Sequence, residues 1–392
     1  MRALLVSPAG RLFVAFVALL AAGTAAGLVL LWPGAVNAQL NEGLVAATER
    51  GSVERVETFH CPGPATAPSG CREVTVKLLS GPDAGETTAI SLDPGGLDPE
   101  LSVGDQVRLA PTPGPSPSTA PGYVISDFER GLPMLYLVLG FAALVVAFGG
   151  LRGALSLIGL ALSLALVIVF VVPAILTGEP PLVVAMVGSL AVMLVTIPLA
   201  HGFGAKSVAA LLGTAVSLVL TVALAVLFTD LTHLTGLSSE TATLLQTSDA
   251  GLSVEGLLLA GMVIAALGVL DDMTISQASA VMALRRANPA LRFGELYRRA
   301  IEIGRDHVSA LVNTLVLAYV GASLPILLLF ASGELGVFEA ANVELIAKEI
   351  VATLVGSIGL IAAVPITTGI AALLATRVET ERLGDAGHGH AH

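Results

Sequence analysis

Long apolar segments dominate this chain and restrict what it can fold into. Most of them hold the roughly 20 residues that a helix needs to cross a bilayer core about 30 Å thick. The composition agrees, because 55% of the residues are hydrophobic, which is more than a soluble core requires. Only 12% of the residues are charged. We therefore predict an all-α membrane bundle of about eight transmembrane helices, at Leu12–Leu31, Pro133–Gly149, Ala154–Leu176, Leu182–Ala200, Ser207–Phe228, Ser253–Leu270, Val308–Phe330 and Ile346–Thr376.

The segment Met273–Arg305 sets the expected orientation, because it carries six arginines between two apolar segments. Basic loops stay on the cytoplasmic side of a membrane. With this loop inside, Arg152, Lys206 and Arg377 also fall inside. Three loops without Lys or Arg fall outside, at Thr177–Pro181, Thr229–Leu252 and Ala331–Leu345. We expect a multi-pass protein of a bacterial inner membrane with both termini in the cytoplasm.

The first apolar segment has two interpretations. Arg2 and Arg11 followed by an apolar run and by Ala-Val-Asn-Ala at 35–38 resemble a cleaved signal peptide. The run is longer than the apolar core of a usual signal peptide, which favours a retained anchor over residues 1–31. Either interpretation places the following segment outside the membrane.

Residues 32–131 have the pattern of a separate β-rich domain. Five short runs rich in Val, Thr and Ile are separated by turn residues, as half-buried strands require. These runs lie at Gly51–Phe59, Glu73–Leu79, Thr87–Leu92, Asp105–Leu109 and Tyr123–Phe128. Five strands in about a hundred residues predict a small extracytoplasmic β-barrel of the OB-like or SH3-like kind.

The two cysteines of the chain, Cys61 and Cys71, both fall in this domain and flank a loop. In an oxidising compartment such a pair is expected to form a disulfide. The alternative is a metal pair completed by His60. The bundle itself contains no metal-ligand spacing.

Polar residues of the bundle gather where the sixth segment ends and where the seventh begins. Asp272, Ser276 and Ser279 would share one helical stripe, and Asp306 and Asn313 are also seven residues apart. With Thr314, they predict a pocket of carboxylates, hydroxyls and an amide near the cytoplasmic boundary, suited to a hard cation or a polar solute. The alternative is that these groups are solvated at the membrane surface, which is the interpretation we favour for Asp271 and His307.

Four prolines lie inside apolar segments: Pro173, Pro198, Pro325 and Pro365. A proline within a helix removes a hydrogen bond and bends the axis, and transporters use such breaks to build sites. Pro and Gly are also common in membrane helices that have no such role.

Several motifs resemble the YibE/F-like family of bacterial membrane proteins. They are the stretch Gly251–Ser279 with Leu-Gly-Val-Leu-Asp-Asp-Met-Thr-Ile-Ser, the sequence Gly304-Arg-Asp-His followed by Asn313-Thr-Leu-Val-Leu-Ala-Tyr, and Val364-Pro-Ile-Thr. The resemblance implies the architecture above and places Asp272, Ser276, Asp306, Asn313 and Thr314 at motif positions. Members of that family carry one acidic residue where this chain has two, so the resemblance marks Asp271 as an addition. It implies no established activity.

Two classes of function fit this pattern. The first is a transporter or channel for a small solute or cation, built in the bundle of residues 132–376. The second is a membrane platform whose extracytoplasmic domain binds a protein partner. We expect no enzyme and no cofactor, because the bundle has no nucleophile–base arrangement and no phosphate loop. The net charge of −11 disfavours nucleic acid as a partner. The tail 377–392, with His388-Gly-His-Ala-His, is expected to be a disordered cytoplasmic end rather than a metal site.

Overall fold

The computed structural model of this chain describes residues 7–34, 48–60, 69–92, 100–112, 122–238, 252–333 and 336–377. The chain divides into two compact units. One is the segment Gln39–Leu144, and the other combines Met1–Ala38 with Val145–His392. The first contains a β-sheet and the second a bundle of helices.

The sheet has the five strands that the alternating pattern predicts. They are β1 (Glu49–His60), β2 (Ser69–Leu78), β3 (Thr87–Leu92), β4 (Gln106–Thr112) and β5 (Gly122–Phe128). All neighbouring strands are antiparallel, in the order β3-β2-β1-β4-β5. One face buries a valine- and leucine-rich core that includes Val53, Val74, Val76, Val107 and Leu109.

The prediction of a closed barrel is wrong. The edge strands β3 and β5 share no backbone ladder within the described residues, and closure requires a continuous one. A side-chain bond links the two edges instead, because the Tyr123 hydroxyl of β5 donates to the Asp83 carboxylate at 2.6 Å. This bond, followed by desolvation, raises the pKa of Tyr123 above its usual range.

The second unit is helical. Its elements, with α2 entering it from the sheet unit, are α1 (Pro8–Leu30), α2 (Gly131–Leu166), a π-helical turn (Val167–Val171), α3 (Val172–Leu176), α4 (Pro181–His201), α5 (Ala205–Leu231), α6 (Val254–Ala287), α7 (Phe293–Ala322), α8 (Leu324–Ala331), α9 (Val337–Asn342) and α10 (Glu344–Arg377).

Six helices in the described residues are long and apolar enough to cross a membrane, or seven if the bent pair α7–α8 is one span. This is fewer than the expected eight, because the predicted second and third segments follow each other in one 46-residue helical stretch, Gly131–Leu176. The stretch is not straight. Gly150 has φ 56° and ψ −138°, and a Cβ on Gly153 would overlap the Val145 carbonyl oxygen. Residues eight apart in a straight helix are separated by about 12 Å, so the chain bends sharply at Gly150.

The arginine-rich segment 273–305 is not a loop. Helix α6 continues to Ala287 and α7 begins at Phe293, so only a five-residue turn separates them. Two features end α6 there. Pro289 cannot continue a helix, and the Arg285 guanidinium donates to the carbonyls of Pro289 and Leu291. Apolar residues of this hairpin pack into the core with the ends of α4, α5 and α10.

The four prolines occupy different settings. Pro325 begins α8, whose axis is bent by 64° from that of α7. Pro173 follows the π-helical turn. The helices α4 and α10 run on through Pro198 and Pro365, so neither proline divides its helix.

Small residues bring α5 and α10 together. A Cβ on Gly213 would overlap the Thr367 hydroxyl, and a Cβ on Gly359 would overlap the Thr221 hydroxyl. Each helix therefore has one glycine that packs against a threonine of the other helix. On both helices the glycine and the threonine are eight residues apart. The two helices run antiparallel, and their backbones approach closely, as small-residue packing allows.

Two predicted features fall outside the described residues. Cys61 is one of them, so its pairing with Cys71 stays a prediction, although Cys71 itself is buried on β2 with 3% exposure. The histidine-containing tail beyond Arg377 is the other.

Candidate functional site

The polar stripe of α6 that faces the bundle is one residue away from the stripe expected from the sequence. Thr274 and Gln277 are buried, and Asp271 is half-buried. Asp272 is exposed, while Ser276 and Ser279 are only half-buried. Successive residues of a helix are separated by 100° around the axis. The face that turns inward is therefore that of Asp271, Thr274 and Gln277.

Thr274 is paired with a hydroxyl of α5. Its Oγ1 lies 2.6 Å from Oγ1 of Thr214, and both side chains are fully buried. The Thr274 hydroxyl also contacts the carbonyl of Asp271 at 3.1 Å. Because each hydroxyl has a single proton, Thr274 donates to that carbonyl and Thr214 donates to Thr274. The two hydrogen bonds fix the α5–α6 contact one helical turn from Asp271.

Gln277 connects three helices. Its side-chain amide donates to the Ala300 carbonyl of α7 at 2.8 Å and to the Thr368 hydroxyl of α10 at 2.7 Å. Gly304 leaves room for this side chain, since a Cβ there would lie 2.9 Å from Oε1 of Gln277. The bond between Gln277 and Thr368 sets the register between α6 and α10. One turn before these two residues, Thr274 of α6 lies level with Pro365 of α10.

The position of Asp271 along the helix axis follows from its neighbours on α5. Val254 of α6 contacts the region just beyond α5, at Gly236, so the two helices are antiparallel. Thr214 is nine residues from the first residue of α5, or about 13 Å at 1.5 Å per residue. Asp271 is one turn further along, about 18 Å from the first residue of α5 measured along the helix axis, and its neighbour Asp272 is within electrostatic range of His201 at the end of α4.

The Asp271 carboxylate is incompletely satisfied. Its Oδ1 is shut off from solvent and has no hydrogen-bond partner among the described residues. The ion pairs found in the described part of the chain all lie in or beside the sheet. A carboxylate in apolar surroundings is stable as an anion only when a cation or hydrogen-bond donors reach it.

Other buried hydroxyls are unpartnered in the same way. Ser217 follows Thr214 by one turn on α5, and Thr367 lies against Gly213. Both side chains are 0% exposed, and neither hydroxyl oxygen has a partner within the described ranges. The α5–α6–α10 interface therefore holds oxygen atoms with unused hydrogen-bonding capacity.

Basic residues gather at one end of this interface. Lys206 at the start of α5 is within electrostatic range of Arg152 and of Arg286 at the end of α6. Asp272 is close enough to act on His201 at the end of α4. Three segments that the sequence predicts to lie on one side of the membrane thus meet at one end of the bundle.

The remaining residues of the predicted pocket do not join this site. Helix α7 packs on α6 and α10 through a face that includes Ala300, Gly304 and Val308. Asp306 and Asn313 share a face, as predicted, but it lies on the opposite side of α7, where both are exposed. Thr314 is exposed as well, and its hydroxyl donates to the Ala310 carbonyl. Their binding roles stay predictions.

Sequence reasoning missed Thr214, Gln277 and Thr368. A usable signal for Gln277 was its place on the stripe of Val263, Leu267, Leu270, Thr274 and Ala278, where apolar residues recur at helical spacing. No comparable signal marked Thr214 or Thr368, because single threonines are frequent in membrane helices and often bond their own backbone.

Comparison with known proteins identifies the family. The family model described as YibE/F-like protein matches residues 137–377, which is more than half of the chain and includes every helix from α3 to α10. This chain belongs to the YibE/F-like family. The matched region holds Asp271, Thr214, Gln277 and Thr368, whereas most of the sheet unit precedes it. Neither a curated protein nor a solved structure gave a significant match.

Proposed function

We propose that this YibE/F-like protein is a multi-pass transporter or channel for a small cation or cation-like solute, with Asp271 as the ligand that binds it. One observation carries the proposal. Asp271 is half-buried, and its Oδ1 is shut off from solvent with no partner among the described residues, on the helix face that also holds the Thr274–Thr214 hydroxyl pair. Ionisable groups at such positions mark ion and substrate pathways.

The chemistry of the surrounding groups favours a cation over an anion. Carboxylate and hydroxyl oxygens are the ligands that hard cations prefer. The unpartnered hydroxyls of Ser217 and Thr367 add further oxygens along the same interface. The charged group that acts on Asp271 among the described residues is Asp272, so no positive charge at this position favours an anion.

The two cavities described in the bundle do not include this site. One of about 570 Å³ and another of about 210 Å³ are lined mainly by apolar residues of α1, α4 and α5, and Asp271 lines neither. Transport past Asp271 would require the packed helices to move. Helix α10 is suited to bending near the site, because Pro365 removes a helical hydrogen bond level with Thr274.

The test is ion flux through the full-length protein in proteoliposomes, with Na⁺, K⁺ and H⁺ measured separately. We expect Asp271→Asn to abolish the flux of the wild-type protein. Asp272→Asn is the matched control, since it removes the same charge one residue away on an exposed position, and it should retain most of the flux. Thr274→Val should reduce flux without abolishing it. Circular dichroism and gel filtration establish that each variant is folded.

Two outcomes would contradict the proposal in different ways. Loss of flux in Asp272→Asn with wild-type flux in Asp271→Asn would return the site to the residue that the sequence pattern favoured. Absence of flux for all three ions in the wild-type protein would reject cation transport. It would support the alternative, in which the bundle is a platform and the sheet unit binds an extracytoplasmic partner.

A further inference from the structure

The exposed face of α7 has a regular pattern that the proposed site does not use. Asp306, Ser309, Asn313, Val316 and Val320 follow one another at alternating intervals of three and four residues, so they form one seam along the helix surface. All five are exposed in the described chain. The face that α7 turns to the bundle lies on the other side of the helix, at Leu296, Ala300 and Gly304.

Asn313 is the informative member of this seam. It lies seven residues beyond Asp306, or about 10 Å further along the helix, within a segment apolar enough to cross a membrane. The hydroxyls of Ser309 and Thr314 are satisfied by backbone carbonyls of α7 itself. The Asn313 side chain has no such bond among the described residues. An amide left unpaired in hydrocarbon is costly, so this face needs a hydrogen-bonding partner in the membrane.

We propose that this face of α7 is the dimer interface of the protein, and that its occupant is α7 of a second copy. Two copies inserted the same way in a membrane bring their α7 helices together in parallel. A carboxamide is both donor and acceptor, so two Asn313 side chains on the dimer axis satisfy each other reciprocally. A single Asn at a core position of such a seam is known to set parallel alignment and register.

Charges at the end of the seam fit the same arrangement. Asp306 is a seam position and Arg305 immediately flanks the seam. Neither residue belongs to an ion pair of the described residues. In a parallel dimer, Arg305 of one copy borders Asp306 of the other, so the two carboxylates near the axis are each offset by a guanidinium. Val316 and Val320 supply the apolar layers beyond Asn313, as β-branched residues do in two-stranded seams.

The first test is cysteine cross-linking of the full-length protein in its membrane. Under a mild oxidant, Val316→Cys, which keeps Asn313 and is 37% exposed on the same seam, should give a band of dimer size that reductant removes. Val195→Cys is the matched control, because Val195 of α4 is also exposed at 46% but lies on a different helix, and it should remain monomeric. The substitutions are made both with Cys61 and Cys71 present and with both replaced by Ser.

The second test measures dimer dissociation by dilution of fluorescently labelled protein in lipid nanodiscs or vesicles. Asn313→Leu should weaken the dimer about threefold to thirtyfold, the range that one interhelical hydrogen-bonded contact supplies in membranes. Asn313→Gln, which keeps the amide, should stay close to wild type. Monomers alone from Val316→Cys would mean that lipid or another helix of the same chain covers the face. That result, or equal dissociation of the Leu variant and the wild type, overturns the proposal.

Discussion

The side-chain amide of Gln277 on α6 lies 2.7 Å from the hydroxyl of Thr368 on α10, and the same amide reaches the Ala300 carbonyl of α7. One residue therefore joins three helices of the bundle. Its position also defines the inward face of α6, on which Thr274 and Asp271 follow at one-turn intervals.

Gln277→Leu should destabilise the bundle. The substitution removes two buried hydrogen bonds and leaves the Thr368 hydroxyl and the Ala300 carbonyl without this donor, a loss of about 2 kcal/mol or more. Ser276→Ala is the control, because Ser276 is only half-buried and should change stability by less than about 0.5 kcal/mol. Thermal unfolding in detergent, followed by circular dichroism, compares the two. Equal transition temperatures for both variants and the wild type would show that Gln277 is not a structural link.

Gly359→Ala should destabilise the α5–α10 contact, because the new Cβ would overlap the Thr221 hydroxyl. Overpacking of this kind costs about 1–3 kcal/mol. Gly356→Ala, one turn away, is the control, since its Cβ would lie at an ordinary 3.7 Å from Leu315. Adding Thr221→Ala should rescue much of the loss in Gly359→Ala, and the same thermal measurement gives the coupling between the two sites. Purely additive effects would contradict direct packing.

The orientation in the membrane is tested by reporters of cytoplasmic and extracytoplasmic location. A reporter at Arg292, in the short turn between α6 and α7, should report the cytoplasm because of the arginines around it. Reporters at Gly236 and Ser116 should report the opposite side. A cytoplasmic signal at Gly236 together with an extracytoplasmic one at Arg292 would invert the whole arrangement.

The pairing of Cys61 with Cys71 is tested by thiol labelling of protein taken from intact cells. Cys71 is 3% exposed, so it would resist a reagent in the folded protein whether or not it is bonded. The labelling must therefore follow denaturation without reductant. We expect no added label under these conditions and two labels after reduction, counted by mass spectrometry. Two labels without reductant would rule out the disulfide.

Much of the architecture could be predicted from the sequence, because it depends on local patterns. The five strands of the sheet lie within a few residues of the alternating runs, and the long helices lie where the apolar segments do. What the sequence could not supply was the contact between distant elements. Closure of the sheet depended on whether β3 and β5 pair, and the extent of α6 depended on packing of residues 273–287 against the ends of α4, α5 and α10.

The candidate site shows the same division at the level of single residues. The sequence by itself determined that α6 carries carboxylates and hydroxyls beside a long apolar run, and that Asp306 and Asn313 share one face of α7. It did not determine which stripe turns inward, because Asp271 and Asp272 are adjacent and a shift of one residue rotates a helix face by 100°. Only the tertiary structure decided this. Thr214, Ala300 and Thr368 come from three other helices, and their bonds to Thr274 and Gln277 set the rotation of α6. Hydrogen bonds between residues far apart in the chain leave no periodic signal in the sequence, and for that reason the structure was needed to separate Asp271 from Asp272.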